Sequence, residues 1–418
     1  MKYCSHITRR FLLSAKHSEI ASLQALAFNC RVVSAVRDTI HYLQRERGSS
    51  NIWLASAGHR FELRRNEEIA LAQQAQQQLQ VLLNDYLSDK HHGTSGRLLN
   101  SITFALQGLD HLPELRERVR DLKITSSEST QAFSQLIAYL LAVIFEAADV
   151  ANDAAISRQL IALFNFIQGK EFAGQERAWG AIGFTKTYFT KALCERLAQL
   201  QQVQQNHFSL FVQFASTHQQ KLWHELVEHQ AWHELEHLRA MINKLDEGSA
   251  IDAGLSEIWF EIATARMDQM QGIEQAMTQE LTDIAQHKVI EAKQKLGDQQ
   301  ALIAAMEARQ GPMNLCVSQL LEPHAQDLHI MEYGRAPDSF YDLLREQSRD
   351  IARMEEELVH AKQAIADQKK IDRAKLLIIQ KFKFTEEQAF RELQKQAMSH
   401  NLKLVDVADK VIVGFDTN

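Results

Sequence analysis

Proline is nearly missing from this chain: 418 residues contain four, Pro113, Pro312, Pro323 and Pro337. Glycine is scarce too, at 16. Alternating apolar and polar residues, the signature of half-buried strands, are almost absent. Together these shortages exclude a turn-rich β architecture and favour helices throughout. Cysteine is also rare. Cys4, Cys30, Cys194 and Cys316 show no paired spacing, so neither a disulfide framework nor a zinc knuckle is expected, and the thiols are those of a reduced, cytoplasmic protein. The N-terminal "MKYCSHITRRFLLSAKHSEI" has only "FLL" as an apolar run, too short for a secretion signal. No segment is expected to reach the unbroken apolar length of a membrane span. Phosphate-loop, dinucleotide-binding and G-x-S-x-G signatures are missing as well.

What is present is Gln, Ala, Leu and Glu at helical spacing, with 45% hydrophobic and 24% charged residues and a net charge of −7. The fold class expected is all-α: a large helical-bundle sensor domain, a helical or coiled-coil linker and a small three-helix C-terminal domain. One long helix is predicted from about Ser18 to Gly58, followed by a Gln-rich one that keeps Leu71, Leu79, Leu82 and Leu83 on a face. Pro113 suits a first helical turn. "SESTQAFSQLIAYLLAVIFEAADV" is the most apolar stretch and should lie at the centre of a bundle. Separate helices are expected in "ISRQLIALFNFIQGKEF" and "GQERAWGAIGFTKTYFTKALCERLAQL". Another is expected in "FVQFASTHQQKLWHELVEHQAWHELEHLRAMINKL", and a further one begins at "LSEIWFEI". The pattern breaks at Gly311–Pro312 and at "EYGRAPDS". A heptad then follows, Leu344, Ile351, Leu358 and Ile365 with Met354 and Ala361. It fits either a coiled coil, through which two copies could pair, or one more bundle helix. The boundaries are therefore 18–310 for the sensor bundle, 311–350 for the linker and 351–413 for the C-terminal module.

That module, from Lys369 to Ile412, carries ten basic residues against six acidic ones, in a chain that is acidic overall. Such asymmetry points to a polyanion. Its three helices would bury Ile371, Ala374, Leu377 and Ile378; then Ala389, Phe390, Leu393 and Ala397 behind a Thr385–Gln388 capping box; then Leu404, Val407, Ala408 and Val411.

Two arginines stand where apolar residues belong. Val36, Ile40, Leu43, Arg47, Ser50 and Leu54 share one stripe. Leu163, Ile167, Gly174, Arg177, Ala181 and Phe184 share another. Both arginines follow a glutamate and precede small residues, in "ERGSS" and "ERAWG". A buried guanidinium does not shed its proton, so each needs an anion. No acid lies obviously opposite, and Glu46 and Glu176 point about a quarter-turn away. A small planar oxyanion such as nitrate fits guanidinium forks; a distant glutamate or a helix C-terminus would satisfy them equally well. Arg239 and Arg266 are further candidates on partly apolar faces.

"HELEH", His233 to His237, matches the H-E-x-x-H zinc pattern. The extended form fails, since Ala240 and Asn243 stand where glycine and histidine are required, and Glu257 could join only through a loop. The surrounding "WHELVEHQAWHELEH" makes a chance match easy. A zinc hydrolase is the least favoured reading, and no metal or catalytic residue is assigned.

"LQRERGSSNIWL" and "GQERAWGAIGF", set in an all-helical bundle, resemble the NIT domain, a nitrate- and nitrite-sensing module. "KKIDRAKLLIIQKFKFTEEQAFRELQKQAMSHNLKLVDVADKVI" resembles the ANTAR domain, the three-helix RNA-binding output of antiterminators, and the match runs the length of the module. One departure is Leu376, where ANTAR domains often carry Gly after "RAK"; Leu is compatible with a helix. The resemblance implies that nitrate or nitrite acts as the effector, held by Arg47, Arg177 and a third arginine on a later helix, for which Arg239 is chosen over Arg266. It implies that ligand binding frees the C-terminal module to bind hairpins in leader mRNA, so that polymerase reads past a terminator and nitrate-assimilation genes are expressed. The RNA-contacting residues expected are Lys369, Arg373, Lys375, Arg391, Lys395, Asn401 and Lys403. No cofactor is expected. A ligand-regulated DNA-binding factor is the alternative outside RNA recognition.

Overall fold

The computed structural model describes residues 2–88, 95–245, 251–252, 254–308, 340–382, 386–400 and 402–416. Among them there are thirteen helices and no strand. Helix α1 (Lys2–Ala55) begins well before the expected Ser18 and is the long spine of the bundle. It packs against α2 (Glu62–Ser88), α5 (Ser126–Val150), α6 (Ala154–Lys186) and α10 (Leu255–Ala308). The shorter α3 (Gly96–Asp110) and α4 (Leu112–Arg120) cover α5, and Pro113 sits in the first turn of α4 as its missing N–H requires.

Helix α5 shows why the bundle closes. Thr125 accepts from the backbone of Glu128, whose carboxylate returns to the Thr125 N–H, so a capping box starts the helix. Phe133, Leu136, Ile137, Leu140, Ile144 and Ala147 then bury one stripe against α1, α3 and α6. This helix does reach the length and hydropathy of a membrane span, contrary to the expectation for the sequence. Half of that window is buried within the bundle.

The middle of the chain is cut differently from the expectation. "ISRQ" through "GFTK" is one helix, α6, capped at Asp153 and ending where Thr187 turns to φ +59°. Thr190 then caps α7 (Lys191–Phe214). The next stretch is broken twice. Ser216 and Gln219 form a capping box at α8 (Thr217–Val227), and His229 caps α9 (Gln230–Ile242).

Helix α11 (Phe340–Phe382) carries the heptad and the first helix of the C-terminal head without interruption. Within it, Ile365 joins the main core of the bundle, whereas Met354 is exposed. The side chains of Leu344, Ile351 and Ala361, and most of the 311–350 linker, lie outside the described residues. Helices α12 (Glu386–His400) and α13 (Leu404–Asp416) complete the head. Its separate core is Ala374, Ile378, Ala389, Leu393, Ala397, Val407 and Ala408.

Candidate anion site and its basic output head

The α1–α6 contact is built on reciprocal small residues. A Cβ placed on Gly48 of α1 would stand 2.6 Å from Nη2 of Arg177, and one placed on Gly174 of α6 would stand 2.5 Å from Nη2 of Arg47. Each helix thus opens a glycine notch for the other's arginine. Both guanidinium groups are sealed from solvent, Arg47 at 0% exposure and Arg177 at 2%. The sequence places the two arginines on apolar stripes, and the fold brings them together.

Their partners differ sharply. Arg47 donates from Nη1 and Nη2 to the two oxygens of Glu171, at 2.5 and 3.1 Å, and from Nη1 to Ser134 at 2.8 Å. The expectation that no acid lies opposite is therefore corrected: Glu171, six residues before Arg177 on α6, is that acid. Arg177 has no carboxylate bonded to it among the described residues. It donates to Thr264 Oγ1 at 2.9 Å and to the Gln44 backbone carbonyl at 2.8 Å, and its guanidinium lies 5.1 Å from the centre of the Phe260 ring. Its own carbonyl accepts from Trp259 Nε1 at 3.0 Å, which pins this turn of α6 to α10. Burial and the nearby Arg47 charge bring its pKa down to about 9. The Nε atoms of Arg47 and Arg177 and the Ser50 hydroxyl, although buried, have no hydrogen-bond partner among the described residues. Two cations, one carboxylate and unused donors make the site short of negative charge. A flat anion able to accept several in-plane hydrogen bonds fits that donor set.

The glutamates of the two E-R pairs serve elsewhere. Glu46 holds Arg116 through paired bonds of 2.8 and 2.7 Å. Glu176 takes Arg239 through bonds of 2.7 and 2.5 Å, while Glu236 adds a third. Burial opposes the charge of Arg239, but Glu176 overrides it and holds the group above its ordinary value. Arg239 therefore spends its donors on carboxylates in this arrangement. Arg266 lies behind it, 3.9 Å from Glu176 and 3.9 Å over the Trp232 ring, with its pKa brought down to about 9 by burial and by Arg239. The structure brings Arg47 to Arg177, and places Arg239 and Arg266 together on Glu176. One layer away, Lys170 bonds Glu274 at 2.7 Å and His41 at 3.1 Å, tying α1, α6 and α10 together again.

Glu171, Gln44, Thr264 and Phe260 escaped the sequence reading. A signal existed for Glu171: the α6 stripe jumps from Ile167 to Gly174, and the skipped positions hold Lys170 and Glu171. For "HELEH", Glu234 accepts from Gln230 and Glu236 from Arg239. Among the described residues no three His, Cys, Asp or Glu side chains are grouped to hold a metal.

Two of the residues expected to meet RNA, Lys369 and Arg391, lie where the head meets the sensor. Lys369 pairs with Asp149 at the end of α5 at 2.6 Å and lies 5.9 Å from the Phe145 ring. The Arg391 guanidinium lies against the side-chain amide of Gln199 on α7, whose oxygen accepts from it in the amide orientation that satisfies both groups. Lys375 pairs with Asp372 at 2.7 Å. Together with burial, its charge keeps the His207 imidazole neutral, down to about 3. Arg373, Lys395 and Lys403 are exposed. Asn401 lies outside the described residues.

A large helical bundle with a cation-rich seam, joined to a small basic three-helix head, defines a ligand sensor with a nucleic-acid-binding output. Comparison with known proteins makes this specific. The model of the NIT family, described as nitrate and nitrite sensing, matches residues 38–282, and that of the ANTAR domain matches residues 359–412. This chain belongs to the NIT family and carries a C-terminal ANTAR domain. It is 29% identical over 395 residues to a nitrate regulatory protein of Klebsiella oxytoca, covering 94% of this chain and 92% of that one. It is also similar to the solved structure of the NasR transcription antiterminator, with a TM-score of 0.61, 26% identity and full coverage of both chains.

The notch geometry makes a prediction. Gly174→Ala should add about 1 kcal/mol of helix propensity, yet its methyl group enters the space of Arg47 Nη2, which Glu171 and Ser134 hold in place. Nitrate titration should show at least about tenfold weaker binding, a loss of about 1.4 kcal/mol, with helicity by circular dichroism unchanged. Unaltered affinity would remove Arg47 from the site.

Proposed function

We propose that this chain is a nitrate-responsive transcription antiterminator: nitrate or nitrite binds the sensor bundle at Arg47 and Arg177, and the ANTAR head then binds hairpins in leader mRNA. The observation that carries the ligand reading is Arg177, a fully buried cation to which no carboxylate among the described residues is bonded, set in a glycine notch against Arg47. Nitrate is planar, singly charged and weakly hydrated, so it suits guanidinium forks better than tetrahedral sulfate or phosphate does. Arg239 stands as the third member of the set, released to the ligand only if Glu176 is handed to Arg266 or Gln204, both of which already face it or its partner.

The output follows from the docking. Lys369 and Arg391 face α5 and α7, so a phosphate backbone and the bundle compete for these cations. A ligand shifts that balance only by its difference in affinity for the docked and free arrangements. The chain acts as a regulator and not as a catalyst, and works in the cytoplasm, where its RNA is made. It needs no cofactor, and two copies pair through sensor or coiled-coil helices.

The test is a gel shift with hairpin RNA and with duplex DNA of equal length, with and without nitrate. Tighter binding of the hairpin on nitrate addition, with no such change for the duplex, is the expected result. A nitrate-dependent shift of duplex DNA alone would favour the DNA-binding alternative.

A further inference from the structure

Resting on the assignment of the anion site to Arg47 and Arg177, we infer that Glu171 is a built-in competitor for that site: its carboxylate occupies the Arg47 fork in place of the external anion and so sets the concentration at which the sensor responds.

A carboxylate presents two in-plane oxygens about as far apart as two oxygens of nitrate, and Glu171 uses both on Arg47. It is nearly as buried as its partner, at 3% exposure against 0%. A guest that takes the Arg47 fork therefore displaces Glu171 from the two nitrogens it holds. The glutamate has somewhere to go. Gln44 Nε2 donates to Oε2 at 2.9 Å and Gln175 Nε2 donates to Oε1 at 3.0 Å, two neutral amides that keep the carboxylate hydrogen-bonded once Arg47 turns to the guest. Gln44 couples the two arginines, because its backbone carbonyl accepts from Arg177 while its side chain holds Glu171. Exchange at Arg47 is thereby felt at the α1–α6 seam, where each arginine also fills the other helix's glycine notch.

A merely structural ion pair makes the opposite forecast. Were Glu171 only a strut for Arg47, its loss would loosen the fork and weaken anion binding. Were it a competitor, its neutral isostere would leave Arg47 unsatisfied and strengthen binding.

The experiment is nitrate calorimetry on the full chain as wild type, Glu171→Gln and Glu171→Asp, with Arg47→Met as a control and chloride as a reference anion. Glu171→Gln is expected to bind nitrate at least about tenfold tighter than wild type, and to gain more in melting temperature from nitrate. Glu171→Asp keeps the charge on a shorter reach and should fall between them. Should Glu171→Gln fold only with nitrate present, its midpoint as a function of nitrate concentration gives the same affinity through linkage. Equal or weaker nitrate binding by Glu171→Gln would overturn the inference. When Glu171→Gln binds equally or more weakly, loss of binding in Arg47→Met means that the role of Glu171 alone is refuted; if Arg47→Met binds as wild type does, the site assignment itself has failed.

Discussion

Replacing Arg47 or Arg177 by methionine should abolish nitrate binding in both cases but damage the fold in only one. Methionine retains most of the packing volume and removes the charge. Each guanidinium offers charge-assisted bonds worth about 1.5–3 kcal/mol apiece to an anion, so either loss should weaken nitrate roughly a hundredfold or more. Stability separates them. Arg47→Met strands the buried carboxylate of Glu171, and removing one partner of a buried pair costs about 3–5 kcal/mol. Arg177→Met takes one donor from the Thr264 hydroxyl and a second donor from the Gln44 carbonyl, which keeps its helical bond, about 1 kcal/mol each before subtracting the burial cost of a cation with no bonded carboxylate among the described residues. Thermal melting should therefore place Arg47→Met well below wild type and Arg177→Met close to it. Equal destabilisation by the two would mean that Arg177 has a carboxylate partner after all.

The second large effect is expected at Ile365. It lies on α11 just before the head, is 2% exposed and belongs to the sensor's core cluster, while the head has a core of its own. Ile365→Asp would place an ionised group in an apolar cluster at a cost of several kcal/mol, and undocking the helix avoids that cost. RNA binding by this variant should approach the nitrate-saturated level without nitrate, with the three-helix head intact. Asp149→Ala, which removes the partly exposed acid that pairs with Lys369 and, within the bundle, with Arg97, tests the same surface more gently. Such a pair contributes about 0–1 kcal/mol, so basal RNA binding should rise by no more than about fivefold. Apolar burial, not the ion pair, holds the head down.

Much of this could be read in the residues. Arg47 and Arg177 announced themselves because a charge interrupted two apolar stripes, and the head's core followed from its periodicity. The apolar stretch around Leu140 was identifiable as a central helix, and its 25 residues and their hydropathy were countable too, so the expectation that no segment reaches a membrane span misjudged what the residues carry. The partners of the arginines were harder to read, because which acid meets Arg47 depends on the rotation and register of α1 against α6, a pairing 124 residues apart in sequence. The same long-range geometry assigned Glu176 to Arg239. The α6–α7 boundary was misplaced because Thr187 takes a left-handed turn that glycine usually supplies. The break before α8 was readable in Ser216 and Gln219, a capping box hidden in an otherwise helical run.

The most direct test of the central claim is a crystal structure of the full chain with nitrate. The account predicts a planar anion between the guanidinium groups of Arg47 and Arg177, with Glu171 moved off Arg47 onto Gln44 and Gln175. Nitrate bound at another site, with the Arg47–Glu171 pair undisturbed and Arg177 still on Thr264 and the Gln44 carbonyl, would contradict it.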